Sequence, residues 1–289
     1  MITTLSRATP VLVQGISGRM GRAHTANMRA YGTSIVAGTA TRSDVKEIDG
    51  IPVFPDCAAA VAATGAVASI AMVPPADVRA AVLEAIAAGI RLVVTIAEGV
   101  PVHDALAIGH ATTAAGITWI GPSTPGLAVP GEMKLGFLPD AALRPGPIAI
   151  MSKSGTLSYE IGWRLAQAGL GQSLWVGVGG DPVKGVRFAD LLAPFQTHAA
   201  TQAIVLVGEV GGDEEEQFAA ALAQSPGKPV LAVIAGNEAK EGVAMGHAGA
   251  LTFGATGTVA SKRAALESAG ARVFPTMAAL VAEAVRLKP

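Results

Sequence analysis

The feature that most constrains this chain is an alternation. Short apolar runs, most of them closing on glycine or proline, take turns with segments of helical period. The runs fall at 10–13, 34–38, 66–73, 91–96 and 116–120, and again at 147–151, 173–178, 203–207, 229–234 and 272–274. Helical segments such as 103–115, 188–198 and 259–269 lie between them. Strand, helix, strand in repetition builds an open parallel sheet flanked by helices. Abundant Ala, Val and Gly with few aromatics suit helices packed closely on such a sheet.

Between the two series stands a stretch with prolines at 122, 125, 130, 139, 145 and 147, where no long periodic segment fits. It marks a boundary: 1–122 and 123–289 are expected as separate domains, with 123–146 as a crossing segment. A chain of 289 residues is long enough for two. Its 51% hydrophobic and 15% charged residues suit a large core and argue against disorder.

The net charge of −1 offers no electrostatic case for nucleic acid or an anionic membrane. Phosphate binding would have to come from local devices: helix N-termini and single basic residues. Cys57 is the only cysteine, which rules out an internal disulfide and a cysteine-rich metal site, and no metal site is expected in this chain. The N-terminus lacks the apolar core of a signal peptide, and apolar runs end well short of membrane-spanning length. A cytoplasmic protein, as in a bacterial cytosol, is the expectation.

In open parallel sheets, ligands bind at the carboxyl ends of the strands. The first such end carries Gly15-Ile16-Ser17-Gly18-Arg19-Met20-Gly21 and leads into a helix. Glycines let the backbone approach a phosphate, and the helix start supplies free N–H groups and positive potential. The second strand runs into 38–44, where Arg42 and Ser43 precede the first acid, Asp44. An NAD site wants an acid there for the ribose hydroxyls. Arg42 instead suits a ligand with an extra ribose phosphate, NADP and coenzyme A both fitting, or it is a solvated turn residue. Val73-Pro74 and Ile96-Ala97-Glu98 lie at further strand ends; Glu98 is a site residue or simply the first-turn acid of the next helix.

In the second half, Ser152-Lys153-Ser154-Gly155-Thr156 forms another strand-to-helix turn. It is a phosphate cradle or an ordinary serine cap, and it lacks P-loop spacing. Glu209 follows an apolar strand and precedes Gly211-Gly212, a place from which a carboxylate can orient an imidazole. Glu214 to Glu216 read as the solvated, dipole-favoured first turn of a helix. His247 sits among glycines 246, 249, 254 and 257, with no bulky neighbour to hinder the approach of a phosphorylated group. Glu209, Ser154–Thr156, Gly179–Asp181 and His247 all leave carboxyl ends of one expected sheet, which points to an active site at His247. The remaining histidines, 24, 103, 110 and 198, fall on helices as surface or packing residues.

These motifs, in this order, resemble the α-subunit family of succinyl-CoA synthetase and its relatives, the malate–CoA ligases and ATP-citrate lyase. The resemblance rests on 15–21, 96–99, 121–126, 130–132, 152–160, 177–182, 208–212 and 245–250, and runs over nearly the whole chain. It implies an α/β chain: an N-terminal Rossmann-like CoA-binding domain followed by a flavodoxin-like, doubly wound ligase domain. It further implies that His247 becomes phosphohistidine, held by Glu209, and passes its phosphoryl group to a small dicarboxylate, succinate first and malate second. The thiol of coenzyme A would then displace phosphate. ATP or GTP with Mg²⁺ would bind in a β subunit of the ATP-grasp type.

For coenzyme A the resemblance picks out Ser17, Gly18, Arg19, Met20, Arg42, Ser43, Val73, Pro74, Ile96, Ala97 and Glu98. For substrate and phosphate it picks out Ser123, Thr124, Ser154, Gly155, Thr156 and Tyr159. The chain departs from the family pattern with Ser43 in place of a lysine, Ser123 in place of an asparagine and Lys153 in place of an arginine. Outside the ligases, an NADP-dependent oxidoreductase and a non-catalytic CoA-binding protein are the alternatives. The missing acid after the second strand and the intact His247 loop respectively count against them.

Overall fold

Val11–Gln14 (β1) is buried along its whole length and ends in the glycine turn that opens α1 (Arg19–Tyr31). Gly15, at φ +76, makes that turn, and a side chain there would meet the Met72 carbonyl 2.6 Å away. The computed structural model describes residues 1–40, 44–236, 247–251 and 257–287. Two units emerge: residues 1–137 with 183–185, and residues 138–182 with 186–289.

The first unit continues through β2 (Ile35–Thr39), β3 (Glu47–Ile48), β4 (Ile51–Phe54), α2 (Cys57–Thr64), β5 (Ala68–Ala71), α3 (Val78–Ala87), β6 (Leu92–Thr95), α4 (Val102–Ala115) and β7 (Thr118–Ile120). Its sheet has the order β3-β4-β2-β1-β5-β6-β7, and only the β3–β4 pair is antiparallel. Apart from β3 this is the dinucleotide-fold order, which reverses direction between β1 and β5. Leu12, Val82, Val93, Ile108 and Trp119 are among the side chains of its core. Trp119 satisfies its indole N–H on Thr95 Oγ1 at 2.8 Å, which lets so large a ring be buried without loss.

Two hairpins here were not anticipated. Asp49 and Gly50, both at positive φ, join Ile48 to Ile51 across a two-residue turn, the geometry that Asp-Gly favours. The second hairpin, β8 (Gly126–Val129) and β9 (Met133–Gly136), occupies the proline-rich stretch expected to be only a crossing segment. It docks at the end of α1, where Thr33 Oγ1 donates to Lys134 O at 2.8 Å and accepts from Lys134 N at 3.1 Å. Residues 123–137 therefore lie with the first unit.

The second unit runs β10 (Pro145–Ser152), α5 (Gly155–Gln167), β11 (Gln172–Gly177), α6 (Phe188–Thr197), β12 (Ala203–Glu209), α7 (Glu214–Gln224), β13 (Val230–Ala235), α8 (Val259–Ser268), β14 (Arg272–Phe274) and α9 (Met277–Leu287). Its strands stand in the order β14-β13-β12-β10-β11, all parallel. That is the flavodoxin-like order, and its switch point lies between β10 and β12. β10 from Ile148 onward and all of β11 and β12 are buried, as expected of strands covered on both faces.

Candidate active site

The switch point of the second sheet gathers the chemistry. β10 delivers the start of α5, where Ser154 caps the helix by accepting from Leu157 N at 3.3 Å. Ser152 Oγ steadies the approach, accepting from Ser154 N at 3.0 Å and donating to Ser154 O at 2.6 Å. β12 runs through to Glu209, which is only 7% exposed. The loop bearing His247 is drawn in by backbone bonds: Gly249 N donates to Gly180 O at 3.2 Å and Gly211 N donates to Gly257 O at 2.9 Å.

His247 Nδ1 then lies 2.8 Å from Glu209 Oε2. The imidazole is part-exposed and the carboxylate nearly enclosed, with side-chain exposures of 28% and 9%. Together with Ser154, Leu157, Val210 and Ala250 they line a cavity of about 300 Å³. The N-terminal turn of α5 borders this cavity through Ser154, so backbone N–H groups and the positive end of a helix adjoin the histidine. A carboxylate at Nδ1 favours the tautomer that carries its proton on that nitrogen.

Gly155 and Thr156 form the first turn of α5, Thr156 being exposed. Tyr159 follows on the same helix, half-buried, with its ring centroid 6.4 Å from that of Trp175; burial pushes its phenol pKa up. It is not among the residues that line the His247 cavity.

The first unit has its own cleft, of about 500 Å³, at the carboxyl ends of β1, β2 and β5. Gly15, Ser17, Gly18, Val73 and Pro74 line it together with Thr39 and Ala40. Its floor includes Gln14, whose Nε2 donates to Ala81 O at 2.8 Å and whose Oε1 accepts from Ser69 Oγ at 2.6 Å. Arg19 and Met20 stand exposed on the first turn of α1, outside the lining. Ile96, Ala97 and Glu98 follow β6, and Ala97 O accepts from Ser123 N at 2.9 Å, joining that strand end to the segment of Ser123 and Thr124. Glu98 is exposed. Arg42 and Ser43 lie outside the described residues.

The chain matches the CoA binding domain family over residues 6–99 and the CoA-ligase family over residues 151–272. It is 45% identical to subunit alpha 2 of the ADP-forming succinate–CoA ligase of Archaeoglobus fulgidus, over 98% of this chain and 99% of that one. The chain belongs to the succinate–CoA ligase α-subunit family. A further relative is the α subunit of the malate–CoA ligase of Methylorubrum extorquens, 37% identical over 95% of this chain and 94% of that one. Among solved structures, the ATP citrate lyase of Methanothrix soehngenii in complex with citrate and coenzyme A shares the fold at a TM-score of 0.89 and 23% identity. The match covers 98% of this chain and half of that one. The family's two-part architecture, a Rossmann-like domain and a flavodoxin-like ligase domain, is the architecture of the two sheets described above.

One expectation is corrected. The acidic first turn of α7 is not a solvated surface: Glu214 is 3% and Glu215 0% exposed. Lys153 Nζ stands 3.0 Å from Glu215 and 3.7 Å from Glu214, while Lys262, itself 0% exposed, bonds Glu215 from α8. Lys153 follows β10 directly and Lys262 lies more than a hundred residues later, so no local window of sequence contains the pairs. Only the hint that Lys153 stands beside the Ser154 turn was available beforehand.

Among the described residues no three His, Cys, Asp or Glu side chains form a metal-ligand group, and no helix is long and apolar enough to cross a membrane.

Proposed function

We propose that this chain is the phosphohistidine-bearing α subunit of an ADP- or GDP-forming acid–CoA ligase, with succinate as the acid. The observation that carries the reading is the Glu209–His247 pair in a cavity at the start of α5. His247 Nε2 attacks the γ-phosphorus of a nucleoside triphosphate, and the bond to the bridging oxygen breaks as the diphosphate leaves. A carboxylate oxygen of the acid takes the phosphoryl group from Nε2, giving an acyl phosphate. The sulfur of coenzyme A attacks the acyl carbon, its thiol proton passing to solvent, and inorganic phosphate leaves. A carboxylate is a poor acyl donor, and the covalent intermediate divides one hard step into easier ones.

The work of the chain in this scheme is positioning and electrostatics more than acid–base chemistry. Glu209 holds the ring through Nδ1 and offsets the charge that the ring gains on phosphorylation. Ser154, Gly155 and Thr156 offer the start of α5 to the phosphoryl group. Coenzyme A is assigned to the cleft at the β1–β5 switch point, its phosphates meeting the turn at Ser17 and Gly18; the volume and the glycine turn suit them. Arg19, Met20, Arg42, Ser43, Val73, Pro74 and Ile96–Glu98 complete the proposed CoA set, and Ser123, Thr124 and Tyr159 the proposed substrate set. A β subunit of the ATP-grasp type would supply the nucleotide and Mg²⁺, in keeping with the succinate–CoA ligase α subunits to which the chain is similar.

The test mixes the chain with candidate β subunits, Mg²⁺ and γ-labelled ATP or GTP. Acid-labile, base-stable label is expected on His247 and none on His247→Asn; equal labelling of the variant ends the proposal. Discharge of the label by succinate with coenzyme A, set against malate, decides the acid.

A further inference from the structure

Among the described residues of the second unit Glu215, at 0% exposure, is the most enclosed carboxylate, and the reaction proposed above makes no use of it. Three donors converge on it. Lys153 Nζ is 3.0 Å from both oxygens, Lys262 Nζ bonds Oε2, and the backbone N–H of Glu209 donates to Oε1 at 3.1 Å. The last contact matters most. Glu209 is the residue whose carboxylate meets His247, and its main chain is pinned by another carboxylate six residues on.

Lys153 ties in the opposite wall. It directly precedes Ser154, the cap of α5, and its side chain runs to Glu215 and Glu214. One buried carboxylate thus joins the ends of β10 and β12, the two strands that flank the switch point and border the His247 cavity. Glu214 anchors the same turn, accepting from Phe188 N at 3.0 Å, and Lys262 also donates to Gly212 O at 3.1 Å.

Such a cluster is a poor device for stability alone. Burying two ammonium groups and two carboxylates costs solvation that apolar side chains of similar volume would not, and replacement of whole buried ion pairs by such side chains is often neutral or stabilising. What the cluster supplies here is geometry: it aligns a strand end with a helix start.

We infer that Glu215, with Lys153, is a positioning residue for phosphoryl transfer. It sets the main chain of Glu209 so that the Glu209 carboxylate holds His247 in the Nδ1–H tautomer, with Nε2 as the nucleophile. The inference rests on the phosphohistidine reading for its kinetic consequence but not for its tautomeric one.

The experiment uses the full chain, labelled with ¹⁵N in the histidine rings, as wild type and Glu215→Gln, the wild type read against His247→Asn to assign the signal. Wild-type His247 is expected in the Nδ1–H form and Glu215→Gln as a mixture of tautomers. In single-turnover labelling with the β subunit and ATP, Glu215→Gln is expected to be slower by on the order of 10-fold, as for other groups that orient a functional histidine, with the KM for coenzyme A unchanged. Lys153→Arg, which keeps the charge, should retain the tautomer and most of the rate, and Lys153→Met should lose both. Should Glu215→Gln not fold, the Lys153 pair makes the same comparison. A lowered melting temperature with unchanged tautomer and labelling rate in Glu215→Gln, or equal rates in the two Lys153 variants, overturns the inference. Absence of label on wild-type His247 would overturn the proposed function instead, while the ring signals still report whether Glu215 governs the tautomer.

Discussion

The imidazole of His247 rests on the main chain of Gly180: a β-carbon there would fall 2.5 Å from Cγ and 2.7 Å from Nδ1 of the ring. Neither backbone nor ring can absorb such an overlap without moving, and the ring is already fixed by Glu209. Gly180→Ala should therefore displace the nucleophile rather than unfold the sheet. A displacement of roughly 1 Å at a reacting group costs about 10²-fold in rate. Labelling of His247 should fall by that order while coenzyme A binding, measured by calorimetry, stays as in the wild type.

Glu209→Gln keeps the size of the side chain and removes its charge. The amide can still face Nδ1, but it no longer offsets the charge on a ring that has accepted a phosphoryl group. Phosphorylation of His247 should slow by on the order of 10²-fold, within the range a positioned ionisable partner contributes. Rapid-quench labelling checks this, and a rate within twofold of wild type would remove Glu209 from its proposed role.

The two clefts predict separable defects. Ser17 lines the cleft at the β1–α1 turn, where Ser17→Glu would set a carboxylate against the phosphates assigned to that turn. The KM for coenzyme A should rise about 10-fold or more, a loss of ~1.4 kcal/mol in binding. ATP-dependent labelling of His247, which needs no coenzyme A, should be unaltered.

The buried cluster predicts how stability varies with pH. Burial alone would raise the pKa of Glu215, but Lys153 and Lys262 outweigh it and hold the carboxyl below its usual range. Its contribution is thus present above the unfolded value of about 4.3 and is lost as pH falls through the lower folded value. For Lys153, burial would lower the pKa, and Glu215 with Glu214 outweighs it and holds the ammonium above its usual range. That contribution is present below the unfolded value of about 10.4 and is lost as pH rises through the higher folded one. Thermal melts should show both flanks and little change from these groups between them.

Lys262→Met leaves Glu215 with one cation fewer in a place that water does not reach. Removing one partner of a buried pair costs about 3–5 kcal/mol. Denaturant melts should show a loss of that order, with a shallower acid flank because the carboxyl of Glu215 is then less strongly held ionised.

Much of the architecture was legible beforehand. Each apolar run from 10–13 to 272–274 became a parallel strand or part of one, because a strand covered on both faces needs no partner information to be apolar. The carboxyl ends named in advance, at Ser17, Val73, Ser154 and Glu209, line the two clefts because parallel strands bring their ends to one edge. The Asp49–Gly50 hairpin carried a readable turn signal that the stronger strand–helix rhythm overshadowed. The 126–136 hairpin was harder to see: its strands are four residues long and nearly all buried, so they lack the alternation that marks a surface hairpin.

By itself, then, the sequence determined the two sheets, their strand ends and the residue types gathered there, since these follow from hydrophobic periodicity and turn chemistry along the chain. The tertiary structure alone decided that Glu209 reaches Nδ1 of His247, that Gly180 lies beneath the ring, and that the three glutamates opening α7 divide into two buried and one part-exposed. Those relations join residues tens of positions apart. Burial and charge pairing at such separations are set by which elements the fold brings together, and a local window cannot contain them.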